Sequence, residues 1–433
     1  MKHHPFLPVT GLTAIAMVAL AACGSPAPTN PTAPQGSSPE PAQLVFRSFD
    51  PPTESGGLAK AVEAWNQSNP NIQVTFETVA VADALAQYTR EVNGGSGPDI
   101  AQSAFVWVKD LGANGLAENL DPLIAAGAPG NGIDDFLAME INQSEGSTFG
   151  ISWTADTFAL AYDPATLSEA GASGLPTSWE GLAELATKLT GNGRSGFCFG
   201  ASSAPASEVW HLFNYHVWGQ GASLVTTQNG ASTVDVTEEQ LKKTVSYLND
   251  FFASGANPAG SISIDTAGDP SIMNALVDGS CAIAFVSPAQ FRAAREKNPN
   301  LVTGPIPAGA NGEITTHQGG RSLVINPNTK NKEAAWEFLT YLTTADFFAN
   351  YYTGQFAAQK SVLDSVDYGA EFDGFRLALP TARTYSMFIS SPSPTAEYQS
   401  LTNQMLGSVF SGQMTPEQAV PGFLTGVDAL VNA

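Results

Sequence analysis

Several aromatic and charged side chains follow strand-like segments of the chain. Ligands of open α/β sheets bind in this region, beyond the carboxyl ends of the strands. The candidate ligand-binding residues are Phe49, Asp50, Trp107, Trp153, Asp156, Ser287, Arg321 and Tyr352. Aromatic rings offer flat apolar faces, and carboxylate and guanidinium groups form charge-assisted hydrogen bonds. Side chains of these types can together hold a polar molecule.

Each of these assignments has a structural alternative. Trp107 is flanked by two valines, a context equally typical of a core residue. Asp50 precedes two prolines, so a role in a turn competes with ligand binding. Arg321 follows two glycines, and its partner is either the ligand or a carboxylate such as Asp50 or Asp156. Trp153 ends a strand that faces the site, so we predict that Trp153→Ala weakens ligand binding more than folding. Further candidates are Trp210, Trp218, Phe356 and Arg383.

The segment that carries the first candidates alternates strand and helix patterns. Residues 44–49 are strand-like, and apolar residues at helical spacing follow between Leu58 and Trp65. Asn69-Pro70 ends that helix, residues 72–76 alternate as a second strand, and another helix covers residues 83–92. This βαβ pattern predicts a mostly parallel sheet in the first domain.

Composition limits the classes of ligand. The chain has 433 residues, a formal net charge of −22, 43% hydrophobic residues and 13% charged residues. A chain of this length with this share of apolar residues can bury a core and fold, either as two domains or as one large domain. A chain with 18 basic and 40 acidic residues is poorly suited to nucleic acid or anionic lipid surfaces, so neutral or cationic ligands remain.

The N-terminus has the pattern of a targeting signal. A basic start and a short apolar run, too short to span a membrane, end in Leu20-Ala21-Ala22-Cys23. This resembles a bacterial lipobox, which implies a signal peptide over residues 1–22 and lipidation of Cys23; an ordinary secretory signal is the alternative. Residues 23–42 are rich in Pro and Ser, which predicts a tether. The expected location is the cell membrane, lipid-anchored on its extracytoplasmic face.

Two further cysteines, Cys198 and Cys281, lie in strand-like runs. An even pair in an exported chain favours a disulfide, with two separate buried thiols as the alternative. His211, His216 and His317 have no metal-ligand spacing, so we expect neither a metal site nor a cofactor.

Longer stretches of the sequence resemble a known family. They include residues 58–74, Gly97-Pro98-Asp99-Ile100, residues 149–163, residues 279–285 and residues 319–339. In this order and spacing they resemble the family 1 extracellular solute-binding proteins, the carbohydrate receptors of ATP-binding-cassette importers. The chain has Ser152 where the family usually has Pro, and Asp163 where it usually has Asn.

The resemblance implies a two-lobed α/β fold of the type II periplasmic-binding class. Mixed sheets flanked by helices are joined by a hinge of crossing strands, and the ligand binds in the cleft. We expect one lobe over residues 43–154 and 304–348, and the other over residues 155–303 and 349–433. The implied partners are a carbohydrate and the transmembrane subunits of a permease. We further expect a monomer that touches the membrane only through the lipid on Cys23.

The identity of the solute stays open at this point. The family and the aromatic residues favour a di- or oligosaccharide. A glycerophosphodiester or phosphorylated polyol would need clustered cations, for which Arg47, Arg321 and Arg383 are the suppliers. An exported glycan hydrolase is the alternative from another class, but no catalytic motif occurs, and the Gly-x-Gly-x-x-Gly at residues 191–196 follows a helix, unlike a nucleotide-binding loop. We therefore predict a receptor and not an enzyme.

Overall fold

The computed structural model describes residues 41–50, 52–204, 207–228, 231–264, 269–385 and 394–432. All of them belong to the second of two units in the chain, Pro41–Ala433, the first being Met1–Glu40. The predicted signal peptide, most of the predicted tether and Cys23 lie outside the described residues. Ala42, which we assigned to the tether, begins the first strand.

The described segments alternate strands and helices through their first part, as predicted. The strands are β1 (Ala42–Ser48), β2 (Ile72–Thr78), β3 (Ile100–Ala104), β4 (Gln143–Ser144), β5 (Ser147–Thr148), β6 (Ile151–Asp156), β7 (Ala159–Tyr162), β8 (Ser223–Gln228), β9 (Ala231–Asp235), β10 (Ile283–Val286), β11 (Val302–Gly304), β12 (Gly319–Ile325) and β13 (Phe356–Ala357). The α-helices are α1 (Pro52–Ser68), α2 (Val81–Asn93), α3 (Phe105–Ala113), α4 (Asp121–Ala126), α5 (Pro164–Glu169), α6 (Trp179–Leu189), α7 (Val209–Gly219), α8 (Glu238–Ala253), α9 (Ser271–Asp278), α10 (Pro288–Arg295), α11 (Lys332–Tyr341), α12 (Ala345–Asn350), α13 (Lys360–Ser365), α14 (Asp373–Arg376), α15 (Thr395–Phe410) and α16 (Pro416–Val431).

A six-stranded mixed sheet organises one lobe, with the strand order β13-β6-β12-β3-β1-β2. Strand β1 pairs in parallel with both β2 and β3, as the βαβ pattern predicts. Strand β12 is antiparallel to β3 and β6, and it enters the sheet between them from much later in the chain. A mixed sheet of this kind brings residues 42–48, 100–104, 151–156 and 319–325 side by side.

A three-stranded antiparallel sheet, β10-β7-β11, organises the other lobe. Its core is rich in aromatic side chains, and Trp179, Trp210 and Phe285 are all buried in it. Helices α6, α7, α8, α15 and α16 contribute most of the remaining core side chains. The fold is therefore two-lobed, with mixed α/β layers, as the sequence predicts.

The chain crosses between the two sheets through short extended segments. One crossing follows Asp156 and leads directly from β6 into β7. A second leads from β11 back to β12, and its Thr316 hydroxyl hydrogen-bonds the Thr157 hydroxyl of the first crossing. These two segments lie side by side, and they are the crossing strands of the predicted hinge. Among the described residues, no helix combines the length and the apolar character needed to cross a bilayer.

The predicted disulfide between Cys198 and Cys281 is confirmed. Its Cα atoms lie 6.2 Å apart, and 83 positions of sequence separate the two residues. Cys198 also forms a parallel β-bridge with Ala284 of β10. The disulfide therefore fastens the segment before α7 to the three-stranded sheet. Both cysteines are buried in the core beside Ile272 and Phe291.

Replacing Cys198 and Cys281 together with Ala should lower the free energy of unfolding by about 4–5 kcal/mol, because the unfolded chain regains the freedom of a long loop. Guanidinium titration without reductant measures this loss. The same titration in strong reductant is the control, since the wild-type disulfide is then broken in the unfolded state and the difference should shrink. An equal stability of the two proteins without reductant would contradict the predicted role.

Candidate functional site

The side chain of Arg321 lies between two carboxylates at the edge where the chain crosses between the sheets. Its Nε is 4.0 Å from Asp50 Oδ1, and its Nη1 is 3.9 Å from Asp156 Oδ2. Both distances exceed hydrogen-bond length. The Nε atom is buried and finds no hydrogen-bond partner among the described residues. The guanidinium also lies 5.4 Å from the centre of the Phe49 ring. Arg321 therefore has unused hydrogen-bonding capacity beside two anionic acceptors.

Strand β1 delivers Asp50, and neighbouring side chains hold its carboxylate in place. Asp50 is only 6% exposed. Gln102 of β3 donates from Nε2 to Asp50 Oδ1 at 2.8 Å, and its own carbonyl oxygen accepts from the Phe49 amide at 2.9 Å. The Tyr352 hydroxyl donates to the other carboxylate oxygen. Such fixed donors compensate the burial of the carboxylate and set its direction.

Asp156 ends strand β6 and faces Arg321 from the other side. Although 34% of its side chain is exposed, protein surrounds the carboxylate closely, and this desolvation raises its pKa, while Arg321 and Arg292 oppose the shift. His317 Nε2 lies 3.9 Å from Asp156 Oδ1, but burial lowers the pKa of His317 to about 3. The imidazole is therefore neutral at physiological pH, and the positive charge beside Asp156 comes from the arginines.

The double glycine before Arg321 has a steric explanation. A Cβ atom on Gly319 would lie 2.0 Å from Asp156 Oδ1, and one on Gly320 would lie 1.9 Å from the Thr154 carbonyl oxygen. Gly320 also has a φ of +142°, which disfavours other residues. Strand β12 can therefore approach β6 closely enough to place Arg321 beside Asp156.

Phe49 and Trp107 form the aromatic part of the site. Their ring centres are 5.5 Å apart, and Trp107 projects from the first turn of α3. Phe49 is 7% exposed, and Trp107 is half-buried. We call Phe49, Asp50, Trp107, Asp156 and Arg321 the Arg321 cluster. The structure brings these five predicted site residues together.

The remaining three predicted residues have other places in the structure. Trp153 is fully buried, and its indole N–H donates to the Leu342 carbonyl at 2.8 Å. Tyr352 is 2% exposed, and its ring stacks on that of Trp153 with the centres 4.8 Å apart. Its hydroxyl group donates to Asp50, so Tyr352 positions that carboxylate. Our expectation for Trp153 is therefore corrected: the ring is a core residue of the lobe with the six-stranded sheet, because both faces of its strand are covered.

Ser287 is the N-cap of helix α10. Its amide donates to the Gln290 side chain at 2.7 Å, and its hydroxyl accepts from the Gln290 amide, which completes a capping box. The amide and the hydroxyl of Ser287 are thus engaged in capping its own helix, and its ligand contact stays a prediction. Among the further candidates, Trp210, Trp218 and Phe356 are buried. Arg383 lines a cavity of about 290 Å³ together with Trp218 and Tyr385.

Sequence reasoning missed Gln102, His317 and Glu208. Gln102 is a polar residue inside a buried strand, two positions after the Gly-Pro-Asp-Ile motif, and this contrast was a usable signal. His317 precedes the double glycine. Glu208 lies just before α7, and the Gln290 side-chain amide contacts its two carboxylate oxygens at 3.3 and 3.4 Å. Burial raises the pKa of Glu208 to about 7.

The Arg321 cluster can bind a polar ligand, and its five side chains include no nucleophile–base pair. Its carboxylates accept hydrogen bonds, its guanidinium donates them, and Phe49 and Trp107 present apolar surface. In the described part of the chain, no three acidic, cysteine or histidine residues are grouped as metal ligands would be.

Comparison with known proteins defines the class. The family model for bacterial extracellular solute-binding proteins matches residues 51–347. The chain therefore belongs to the bacterial extracellular solute-binding protein family, as its sequence motifs indicate.

Individual relatives agree with this class. A Brucella abortus (strain 2308) protein, provisionally named as a binding protein, is 25% identical over 85% of this chain and 88% of its own length. The erythritol/L-threitol-binding protein of Mycolicibacterium smegmatis is 23% identical over 77% of this chain and 75% of its own length. The sugar-binding protein MalE of Xanthomonas citri shares the fold, with a TM-score of 0.76 and 18% identity over 90% of this chain and 98% of its own.

Trp153→Ala should lower the free energy of unfolding by about 3–5 kcal/mol, because it leaves a cavity in the core of the lobe with the six-stranded sheet. Urea titration measures this loss. Trp107→Ala is the matched control, and it should cost less than half as much, since Trp107 is only half-buried. A Trp153→Ala protein of nearly wild-type stability would contradict the assignment of Trp153 to the core.

The contribution of Glu208 to the stability of the unliganded protein should fall between about pH 4.5 and pH 7, opposite in sign to the contributions of the buried His216 and His317. Folding raises the pKa of Glu208 from 4.5 to about 7, so its contribution is complete below pH 4.5 and is lost as the pH rises through 7. Glu208→Gln should remove this slope, worth up to about 3 kcal/mol. Denaturant titrations across this pH range test it. Glu184→Gln, at an exposed position, should leave the slope unchanged, and an unaltered slope in Glu208→Gln would contradict the assignment.

Proposed function

We propose that the protein is an extracytoplasmic receptor that delivers an uncharged sugar to an ATP-binding-cassette importer. The observation that carries the proposal is the position of Arg321, about 4 Å from both Asp50 and Asp156 with a buried Nε that no described residue satisfies. A hydroxyl group accepts from a guanidinium and donates to a carboxylate at once. A hydroxyl that bridges Arg321 Nε and Asp50 would satisfy the buried Nε atom and add a hydrogen bond to the carboxylate.

The charge of the site favours a neutral solute. Two carboxylates flank Arg321, so a phosphate group would be attracted by the arginine and repelled by both neighbours. Arg47, one of the other cations considered for a phosphorylated ligand, is engaged with Glu77 at 2.9 Å and Glu91 at 2.6 Å. The glycerophosphodiester or phosphorylated polyol is thus less compatible with the site than a sugar is.

Membership of the solute-binding family supports the transport role. The names of two of the similar proteins refer to erythritol and L-threitol and to sugar. In our proposal, the lobes close about the crossing segments, bury the solute between them and present a closed surface to the permease subunits. The protein carries out no catalysis of its own, and it acts as a monomer. The exported glycan hydrolase gains no support from the geometry.

The lipobox-like Leu20-Ala21-Ala22-Cys23 supports anchoring through lipid on Cys23. The proposed lobes are residues 43–154 with 304–348, and residues 155–303 with 349–433, except that Tyr352 and β13 pack with the first lobe. Mass spectrometry of the protein isolated from membranes tests the anchor: a diacylated N-terminal Cys23 is expected, and an unmodified mature N-terminus would overturn it.

Arg321→Met should weaken sugar binding about 10- to 100-fold, because charge-assisted hydrogen bonds are lost without much change in side-chain volume. Isothermal titration of the full-length protein in detergent, with ligands found by a thermal-shift screen of sugars, measures the loss. Arg194→Met is the matched control, since Arg194 pairs with the exposed Glu169 and should leave affinity unchanged. Equal affinities of Arg321→Met and wild type would contradict the proposed site.

A further inference from the structure

His317 lies in the second crossing segment, two residues before Gly319, and it is 6% exposed. Its Nε2 atom lies 3.9 Å from Asp156 Oδ1, which is beyond hydrogen-bond length. The described residues give Nε2 no hydrogen-bond partner, since the hydrogen bond to this ring is made at Nδ1. A Cβ atom on Gly319 would lie 2.9 Å from Nε2 and 2.0 Å from the Asp156 oxygen. Because residue 319 is glycine, no side chain of that residue separates the imidazole from the carboxylate.

Tyr215 of α7 determines which nitrogen of His317 carries the proton. The Tyr215 hydroxyl is fully buried and lies 2.5 Å from His317 Nδ1. The backbone amides of Phe158 and His317 donate to the same phenolic oxygen, and they oppose the rise that burial causes in the pKa of Tyr215. Because these amides occupy the acceptor side of the oxygen, the phenolic proton is donated to Nδ1. The neutral imidazole therefore carries its own proton on Nε2, the nitrogen beside Asp156.

His317 falls within residues 304–348 of the first proposed lobe, but its side chain and flanking backbone are held by the second. Its ring stacks on His211 of α7, with the ring centres 4.4 Å apart. The Gln318 amide donates to the Arg383 carbonyl at 2.8 Å, and the Arg383 amide donates to the Thr316 carbonyl at 2.9 Å. Helix α7 contributes to the aromatic core of the second lobe. The imidazole is therefore fixed to that lobe, whereas β12, which follows it, belongs to the six-stranded sheet.

A single hydroxyl group of a ligand satisfies both sides of this pair. It accepts from the Nε2–H group of His317 and donates to the Asp156 carboxylate. A direct hydrogen bond between the two side chains would instead require them to approach by about 1 Å. Leaving a buried N–H group without a partner costs free energy, so a ligand oxygen that fills this role gains affinity.

Resting on the proposed function, we infer that His317 is a specificity-determining ligand-binding residue, which donates from Nε2 to a hydroxyl group of the sugar. Tyr215 is its positioning residue, because its hydroxyl sets the tautomer of the ring. His317 is held by the second lobe, and Arg321 lies in the sheet of the first. A sugar that contacts both residues therefore stabilises the closed arrangement of the lobes.

Two substitutions of His317 separate ligand binding from a structural role. His317→Asn keeps an acceptor for Tyr215 but has no group at the position of Nε2, so sugar binding should weaken about 10- to 100-fold. His317→Gln places an amide N–H group at that position, so its loss should stay below about 5-fold. Isothermal titration of the full-length protein in detergent measures both, with the tightest binder among glucose, maltose, maltotriose, cellobiose, lactose, erythritol and mannitol. Thermal unfolding without sugar confirms that each variant is folded.

Nitrogen-15 NMR of the histidine-labelled wild-type protein gives a second measurement, which does not depend on a loss of binding. The His317 signals are assigned by their absence from His317→Gln, and we expect them to show the proton on Nε2. The same sugar should shift the Nε2 resonance more than the Nδ1 resonance. A proton on Nδ1, or an Nε2 resonance that the sugar leaves unchanged, would overturn the inference.

Tyr215→Phe tests the positioning role. Both neutral tautomers of His317 become accessible without the phenolic proton, so sugar binding should weaken about 3- to 10-fold. In the His317→Gln background, the same substitution should change the affinity by less than about 2-fold, because an amide has no such tautomers. Equal effects in the two backgrounds would show that Tyr215 does not act through His317 and would overturn its assignment.

The titrations also separate this inference from the proposed function. Wild-type affinity in His317→Asn, or a loss in His317→Gln as large as that in His317→Asn, overturns the role of His317. The sugar receptor still stands in that case if Arg321→Met weakens binding. Failure of every sugar to bind the wild-type protein overturns both proposals.

Discussion

The approach of one arginine to two carboxylates organises the edge of the six-stranded sheet. Arg321 lies on β12, Asp50 follows β1 and Asp156 ends β6, so the three charges meet only when strands from distant parts of the chain share a sheet. Buried like charges repel one another, and a cation between them makes their proximity tolerable. Gln102 and Tyr352 add the hydrogen bonds that a buried carboxylate requires.

Polar and aromatic residues have different roles around these charges. In the lobe with the six-stranded sheet, Trp153 and Tyr352 form a stacked pair next to the site, where their buried area stabilises the core. The surface above them is polar and charged. Asp50, which Gln102 and Tyr352 hold in place, needs no rearrangement when a polar ligand binds.

Much of the fold could be predicted because local patterns and tertiary structure agree. Alternation predicted β1 and β2, helical spacing predicted α1 and α2, and Asn69-Pro70 marked the end of α1. The position of Arg321 after two glycines was also informative, since steric necessity lies behind it. The burial of Trp153 could not be predicted, because β6 is covered on both faces and carries no alternation to show which side is open. The role of Ser287 was hidden for a related reason: a Ser-Pro pair after a strand suits a helix cap as well as a ligand contact.

The late position of β12 in the sequence affects the order in which the sheets form, because the chain is synthesised from its N-terminus. Strands β1, β2, β3 and β6 are available early, but the strand that joins β3 to β6 begins only at Gly319. Cys198 and Cys281 both emerge before it, so the disulfide beside the three-stranded sheet can form while the six-stranded sheet still has a gap in its centre. Until β12 arrives, β3 and β6 each have an unpaired edge, and such edges are prone to pair with other chains. The order of segments along the chain therefore leaves the site-bearing sheet with unpaired central edges, which need protection during biosynthesis until β12 emerges.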